Sequence, residues 1–280
     1  EFPFGEFGYY KEKLTFITDY SQEIFAVRGA LKKQLKELLP KQSILSFAPF
    51  TQIVPTGIKG KAAAKRRIVS VGRLTERKNQ LELIKAYGKL PHPSPELIFI
   101  GAWDEEYKKK CETYIAEKNL KNIHFLGHRD QPWEEVTAAD LAVFPSAMET
   151  FGLVYIEAIM NGIPVIISDN LGHLSAYEIF EEGQLYPSGN VEILTERIKE
   201  ALDSFEQLKE NSLANLEKIR SLYTVQEVYH EILDRIENLT FTDGNSLYHL
   251  KFLFESSVSA YPTSSFLKKL KKKLCLILQE

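Results

Sequence analysis

The chain has 280 residues, 44% hydrophobic and 26% charged, with a formal net charge of -3. That length suits one large domain or two small ones, and the near-neutral charge excludes a strongly basic nucleic-acid binder. Two cysteines, Cys111 and Cys275, are too few for a disulfide framework and leave a reducing, cytosolic compartment as the expectation.

The opening EFPFGEFGYYKEKLTF lacks the basic and apolar regions of a signal peptide, and no apolar run approaches the roughly 20 residues of a membrane span. EIFAV (23–27) reads as a strand, GALKKQLKELLP (29–40) as an amphipathic helix ended by Pro40, and SILSFAPF (43–50) as a second strand. These elements are too few to build a stable core of their own. Residues 53–67 read as a linker with turn residues and basic charge.

From there, short apolar runs alternate with amphipathic segments. Strands are expected at RIVSVG (67–72), ELIFIG (96–101), NIHFLG (122–127), DLAVFPS (140–146), PVIISD (164–169) and LYP (185–187). Helices are expected at 79–90, 104–120, 132–139, 151–162 and 190–205, with a mixed segment before residue 185. Strand runs without apolar/polar alternation belong to a parallel sheet covered on both faces, and the helices between them suit right-handed crossovers. The expected fold is therefore a doubly wound, Rossmann-like α/β domain over 63–205. It is preceded by a partial domain over 1–62 and followed by helices over 206–280.

Ligands of such sheets bind beyond the carboxyl ends of the strands. There the sequence places VGRLTERKN (71–79), with Arg73, Arg77 and Lys78, and ETFGLVYIEAIMNGIPVI (149–166), with Glu149 and Glu157. The periodicity of Leu153, Ile156, Ile159 and Met160 predicts a helix starting near Phe151, capped by Thr150 or Glu149 and closed at Gly162. The amides of Phe151, Gly152 and Leu153 would then form an anion site at the positive end of that helix. A carboxylate accepts two hydrogen bonds from a vicinal diol, so Glu149 and Glu157 on either side of a diphosphate would suit the sugar and ribose of a nucleotide sugar. Two glutamates on a helix are, on spacing alone, more often solvated surface.

The residues S-V-G-R-L-x-x-x-K, followed by E-x-F-G-L-x-x-x-E-A-x-x-x-G-x-P-V-I, resemble the retaining glycosyltransferases of family 4. The resemblance covers about 64–205. It implies the donor-binding C-terminal half of a GT-B fold and transfer, with retention, from a UDP- or GDP-sugar to a glycan or lipid-linked acceptor in bacterial envelope or capsule synthesis. It implies that Arg73 and Lys78 contact the donor diphosphate, with Gly72 in the same loop, and that Glu149 meets the sugar. Glu157 is implied to hold the ribose, Phe151, Gly152 and Leu153 to supply backbone contacts, and Gly127, His128 and Arg129 to lie beside the base. No Asp-x-Asp occurs in the chain, so the cations are expected to replace a metal: no cofactor and no nucleic acid. Departures from the pattern are Arg28 in place of a common serine, no histidine before His92, and no Gly-Gly step after residue 171.

The acceptor domain is expected from a missing segment or a partner chain. SFLKKLKKKLCLILQE (265–280) reads either as a basic amphipathic helix on an anionic membrane, which would make the protein cytoplasmic and peripheral, or as a packed helix with a solvated lysine face. Trp133 is the better base contact of the two tryptophans. The rival readings are a non-catalytic donor-binding subunit and a nucleotide-sugar epimerase of the same fold.

Overall fold

The computed structural model describes residues 23–27, 29–40, 43–49 and 65–238. Arg28, most of the linker and the basic segment 265–280 lie outside the described residues. The chain divides into two compact units, Glu23–Asp234 and Glu1–Gln22 with Arg235–Glu280; both sheets belong to the first.

Strand β1 (Ile24–Val27), helix α1 (Ala30–Leu38) and β2 (Ile44–Phe47) form a two-stranded parallel unit. Its core is shared with the rest of the unit: Ala48 and Val27 join the main apolar cluster, and the Phe47 ring stacks on Tyr229 at 6.2 Å.

The larger sheet is six-stranded and wholly parallel, in the order β5-β4-β3-β6-β7-β8. Its strands are β3 (Arg67–Val71), β4 (Glu96–Ile100), β5 (Ile123–Phe125), β6 (Asp140–Phe144), β7 (Val165–Ser168) and β8 (Gln184–Tyr186). The helices between and after them are α2 (Gln80–Tyr87), α3 (Glu105–Glu117), α4 (Leu153–Met160), α5 (Leu171–Phe180), α6 (Val191–Asp203), α7 (Phe205–Leu222) and α8 (Val225–Glu237). Successive strand residues face opposite sides. Ile68, Leu97 and Leu141 join one buried cluster with Leu83 and Ile198, while Val69, Ile98 and Ala142 join the other with Ile156 and Ile219. Two buried faces explain the continuous apolar runs. Among the described residues no helix is long and apolar enough to cross a membrane.

Three expectations need correction. Helix α4 begins at Leu153, and its N-cap is Gly152 (φ 81°), not Thr150 or Glu149. The left-handed Gly152 turns the chain just before the helix, so Glu157 sits one turn in. The segment 132–139 is only a three-residue 3-10 turn, Pro132–Glu134. It stops there because the buried Asp140 carboxylate accepts the Thr137 amide at 2.7 Å. The mixed segment after β7 contains α5. Asn170 caps it, its Oδ1 accepting from the amides of Gly172 (3.0 Å) and His173 (3.1 Å).

At the amino ends of β3 and β6 the Arg67 guanidinium forks onto Asp140, at 2.8 and 2.6 Å, and also donates to Glu135 O at 2.9 Å. Hydrogen bonding to Asp140 raises the Arg67 pKa further, outweighing burial. This pair clamps the sheet at the edge opposite the candidate site.

Candidate functional site

Strand order reverses between β3 and β6: β3 leads outward to β4 and β5, and β6 leads the other way. A crevice opens at such a switch point because the following loops diverge. Two loops flank it, 72–79 after β3 and 145–152 after β6, joined by a backbone bond from Ala147 N to Arg77 O (2.9 Å). A shallow crevice beside them is lined among others by Lys78, Ser146, Glu149, Gly152, Tyr155 and His173.

The first loop is rigid by construction. Thr75 caps the short Glu76–Lys78 turn, and Gln80 Nε2 donates to Arg73 O at 3.0 Å. This aims Lys78 at the second loop, where its Nζ contacts Glu149 Oε1. Arg77 Nη1 donates to Glu149 Oε2 and to Met148 O, both at 2.9 Å, and Ser146 Oγ donates to Glu149 Oε1 at 2.8 Å. Burial alone would push the Glu149 pKa up, but the Lys78 charge and hydrogen bond, with Ser146, bring it below the ordinary carboxylate range. Glu149 is thus held ionised in a dry setting, where electrostatic interactions are strong. Arg73 is exposed at the same edge and makes no ion pair among the described residues.

The amides of Leu153 and Val154 precede the first intrahelical donor: Tyr155 N (3.0 Å) and Ile156 N (3.3 Å) both donate to Gly152 O. They form the positive end of α4 at the crevice. At its other end, Lys209 donates to Gly162 O at 2.7 Å and Arg220 to Met160 O at 3.2 Å, so cations from α7 neutralise the carboxyl-terminal carbonyls. Behind Gly152 stands His173, 1% exposed. Burial pushes its pKa down to about 4, against an opposing pull from Glu149.

The structure brings Lys78, Glu149 and Gly152 together at the crevice, with the Leu153 amide and Arg73 at the same edge. Phe151 is buried at 2% exposure, and Leu153 is half-buried. Gly72 (φ 142°) follows β3, its amide bonded to Ile100 O at 2.8 Å. Gly127 (φ 76°) packs beside Trp103. His128 faces Asp130 at 3.3 Å and Arg129 faces Glu135 at 3.2 Å, both on the surface. Glu157, buried one turn into α4, accepts from the buried Trp133 Nε1 at 3.1 Å. Trp133 is therefore a partner of the glutamate, with its ring closed off by packing. Sequence reasoning missed Ser146 and His173: one is an ordinary loop serine, and the other reaches the site only through the α5 helix that the pattern concealed. Among the described residues no group of three His, Cys, Asp or Glu side chains is placed to hold a metal ion.

Residues 57–215 match the model of the family described as Glycosyl transferases group 1. The chain is 29% identical over 197 residues to the poly(glycerol-phosphate) alpha-glucosyltransferase of Bacillus subtilis, covering 68% of this chain and 29% of that one. It is 27% identical over 260 residues to the putative colanic acid biosynthesis glycosyltransferase WcaL of Escherichia coli, covering 82% of this chain and 61% of that one. The chain thus spans less than two thirds of either relative. In three dimensions it is similar to Anabaena HepE, solved in complex with UDP, with a TM-score of 0.68 at 20% identity over 79% of this chain and 65% of that one. That likeness establishes the fold: a Rossmann-like parallel sheet of the kind found in GT-B glycosyltransferases.

Proposed function

The chain belongs to the group 1 glycosyl transferases, and we propose that it binds a nucleoside diphosphate sugar at the β3/β6 crevice and transfers the sugar with retention, as members of family 4 do. The acceptor is a glycan or a lipid-linked saccharide of bacterial surface polysaccharide synthesis, in keeping with the names of the relatives. The observation that carries this reading is the Lys78–Glu149–Arg77 cluster at the switch point, next to the start of α4.

Glu149 engages Lys78 and Arg77 as an anion would. A bound diphosphate takes over Lys78, Arg77, Arg73 and the first amides of α4, and Glu149 turns its oxygens to the hydroxyls of the sugar. As the glycosidic bond breaks, charge grows on the leaving diphosphate, and fixed cations and amides stabilise it without reorganising. The sugar then carries oxocarbenium character, which the nearby carboxylate favours. With this much positive charge supplied by the protein, the reaction proceeds without a metal. Glu157, fixed by Trp133, holds the ribose.

The test is transfer by the full chain from UDP- and GDP-linked sugars to extracts of surface glycan, with the new linkage read by NMR. The expected product keeps the anomeric configuration of the donor; an inverted product would overturn retention. Activity that survives EDTA is expected, and its abolition would contradict the metal-free reading. The acceptor-binding surface, by a partner chain or further sequence, and contact of 265–280 with an anionic membrane belong to the same proposal.

A further inference from the structure

His173 takes no part in the transfer just proposed, yet it is buried, polar and set into the wall of the crevice. Its hydrogen bonds fix its tautomer. Asn170 Oδ1 is committed to the amides that start α5, which orients the amide. Its two Nδ2 hydrogens then go to Ser146 O (2.9 Å) and Ser168 Oγ (3.0 Å), and the Ser168 hydroxyl donates to Ser146 O at 2.6 Å. The remaining acceptor is Ser168 O, 3.0 Å from His173 Nδ1. A carbonyl only accepts, so Nδ1 carries the hydrogen. Asn170 Nδ2, also 2.9 Å from Nδ1, is then a donor beside a donor rather than a partner.

That leaves Nε2 with a lone pair and no hydrogen-bond partner among the described residues. The edge of the ring that bears it lies on Gly152: a Cβ built there would stand 2.6 Å from Cδ2 and 3.2 Å from Nε2. Only glycine at 152 lets the imidazole reach the cavity wall beside Glu149 and Lys78. An acceptor on the crevice wall is open to a donor from within the crevice, and the group best suited to supply one is a ligand hydroxyl.

We propose that His173 is a specificity-determining residue for the sugar: its Nε2 accepts a hydrogen bond from one sugar hydroxyl, in the tautomer imposed from behind by Ser168. This rests on the nucleotide-sugar reading. Low basicity in this buried setting keeps the imidazole neutral, and hence an acceptor, at physiological pH.

The test compares UDP, GDP, UDP-glucose and GDP-mannose in calorimetric titrations of the unaltered chain and of His173→Ala. The expected result is nucleoside diphosphate affinity within about twofold, with affinity for the sugar conjugate reduced about threefold to tenfold, the worth of one neutral hydrogen bond. Equal losses for both, or no loss for the conjugate, would overturn the proposal. Failure of the unaltered chain to bind any of the four would instead overturn the donor-site reading beneath it. If His173→Ala does not fold, ¹⁵N-histidine NMR of the unaltered chain decides. Nε2 should be unprotonated at pH 7 and should shift with a sugar conjugate but not with its nucleoside diphosphate. A protonated Nε2, or a shift identical for both, would overturn it.

Discussion

At the scale of single residues, the site is an ion cluster whose parts are unequally exposed. The Lys78 and Glu149 side chains retain 16% and 8% of their surface, against 50% for Arg77. Lys78→Ala therefore leaves a buried carboxylate with Ser146 and one solvated cation and is expected to cost about 2–3 kcal/mol in urea unfolding; Arg77→Ala should cost below about 1 kcal/mol. Glu149 and His173 both make the fold acid-sensitive, over different windows. The Glu149 pKa is depressed in the folded state, so its contribution is present above the ordinary carboxylate range and is lost as pH falls through the folded value. His173 titrates near 6.5 unfolded and at about 4 folded. Below 6.5 the unfolded state binds the proton the folded state refuses. Stability is then lost as pH falls from 6.5 towards 4, by on the order of 3 kcal/mol. His173→Gln should flatten the unfolding free energy across that window; an unchanged slope would show that the ring is not buried neutral. Lys78 and Glu149 were legible from their place beyond apolar strand runs. His173 was not, because its nearness to Gly152 arises from folding and no spacing encodes it.

At the scale of elements, the two edges of the sheet use buried charge differently. Arg67–Asp140 at the amino edge is a closed, bidentate pair. Asp140→Ala should destabilise by about 3–5 kcal/mol, yet leave the nucleotide affinity of the folded chain unchanged. The carboxyl edge meets α4, whose entry depends on Gly152. Gly152→Ala meets both a left-handed backbone and the His173 ring 2.6 Å away. The expected cost is about 1–3 kcal/mol, together with weakened nucleotide binding. Intact binding at reduced stability would mean that the crevice does not need this approach. The strands were legible because a doubly covered sheet writes continuous apolar runs. The start of α4 was displaced by two residues because its apolar pattern extends through Phe151, which is buried before the helix begins. Helix α5 was hidden because Gly172, His173 and Ser175 read as a loop, although Asn170 is an ordinary cap.

At the scale of the molecule, the proposed function makes the switch point one wall of a site. The β1–α1–β2 unit shares its core with the larger sheet, and the whole spans only part of the length of its relatives. A donor-binding wall accounts for the cations, the carboxylates and the positive helix end on a single edge. The acceptor side was legible only through the resemblance. The measurement that tests the donor-binding role most directly is calorimetry of the full chain with UDP and GDP, alone and sugar-linked, in parallel with Lys78→Ala. One site per chain is predicted for one of the two nucleotide series, weakened more than about tenfold by Lys78→Ala through loss of a charge-assisted contact. No binding of either nucleotide, or binding indifferent to Lys78→Ala, would contradict that role.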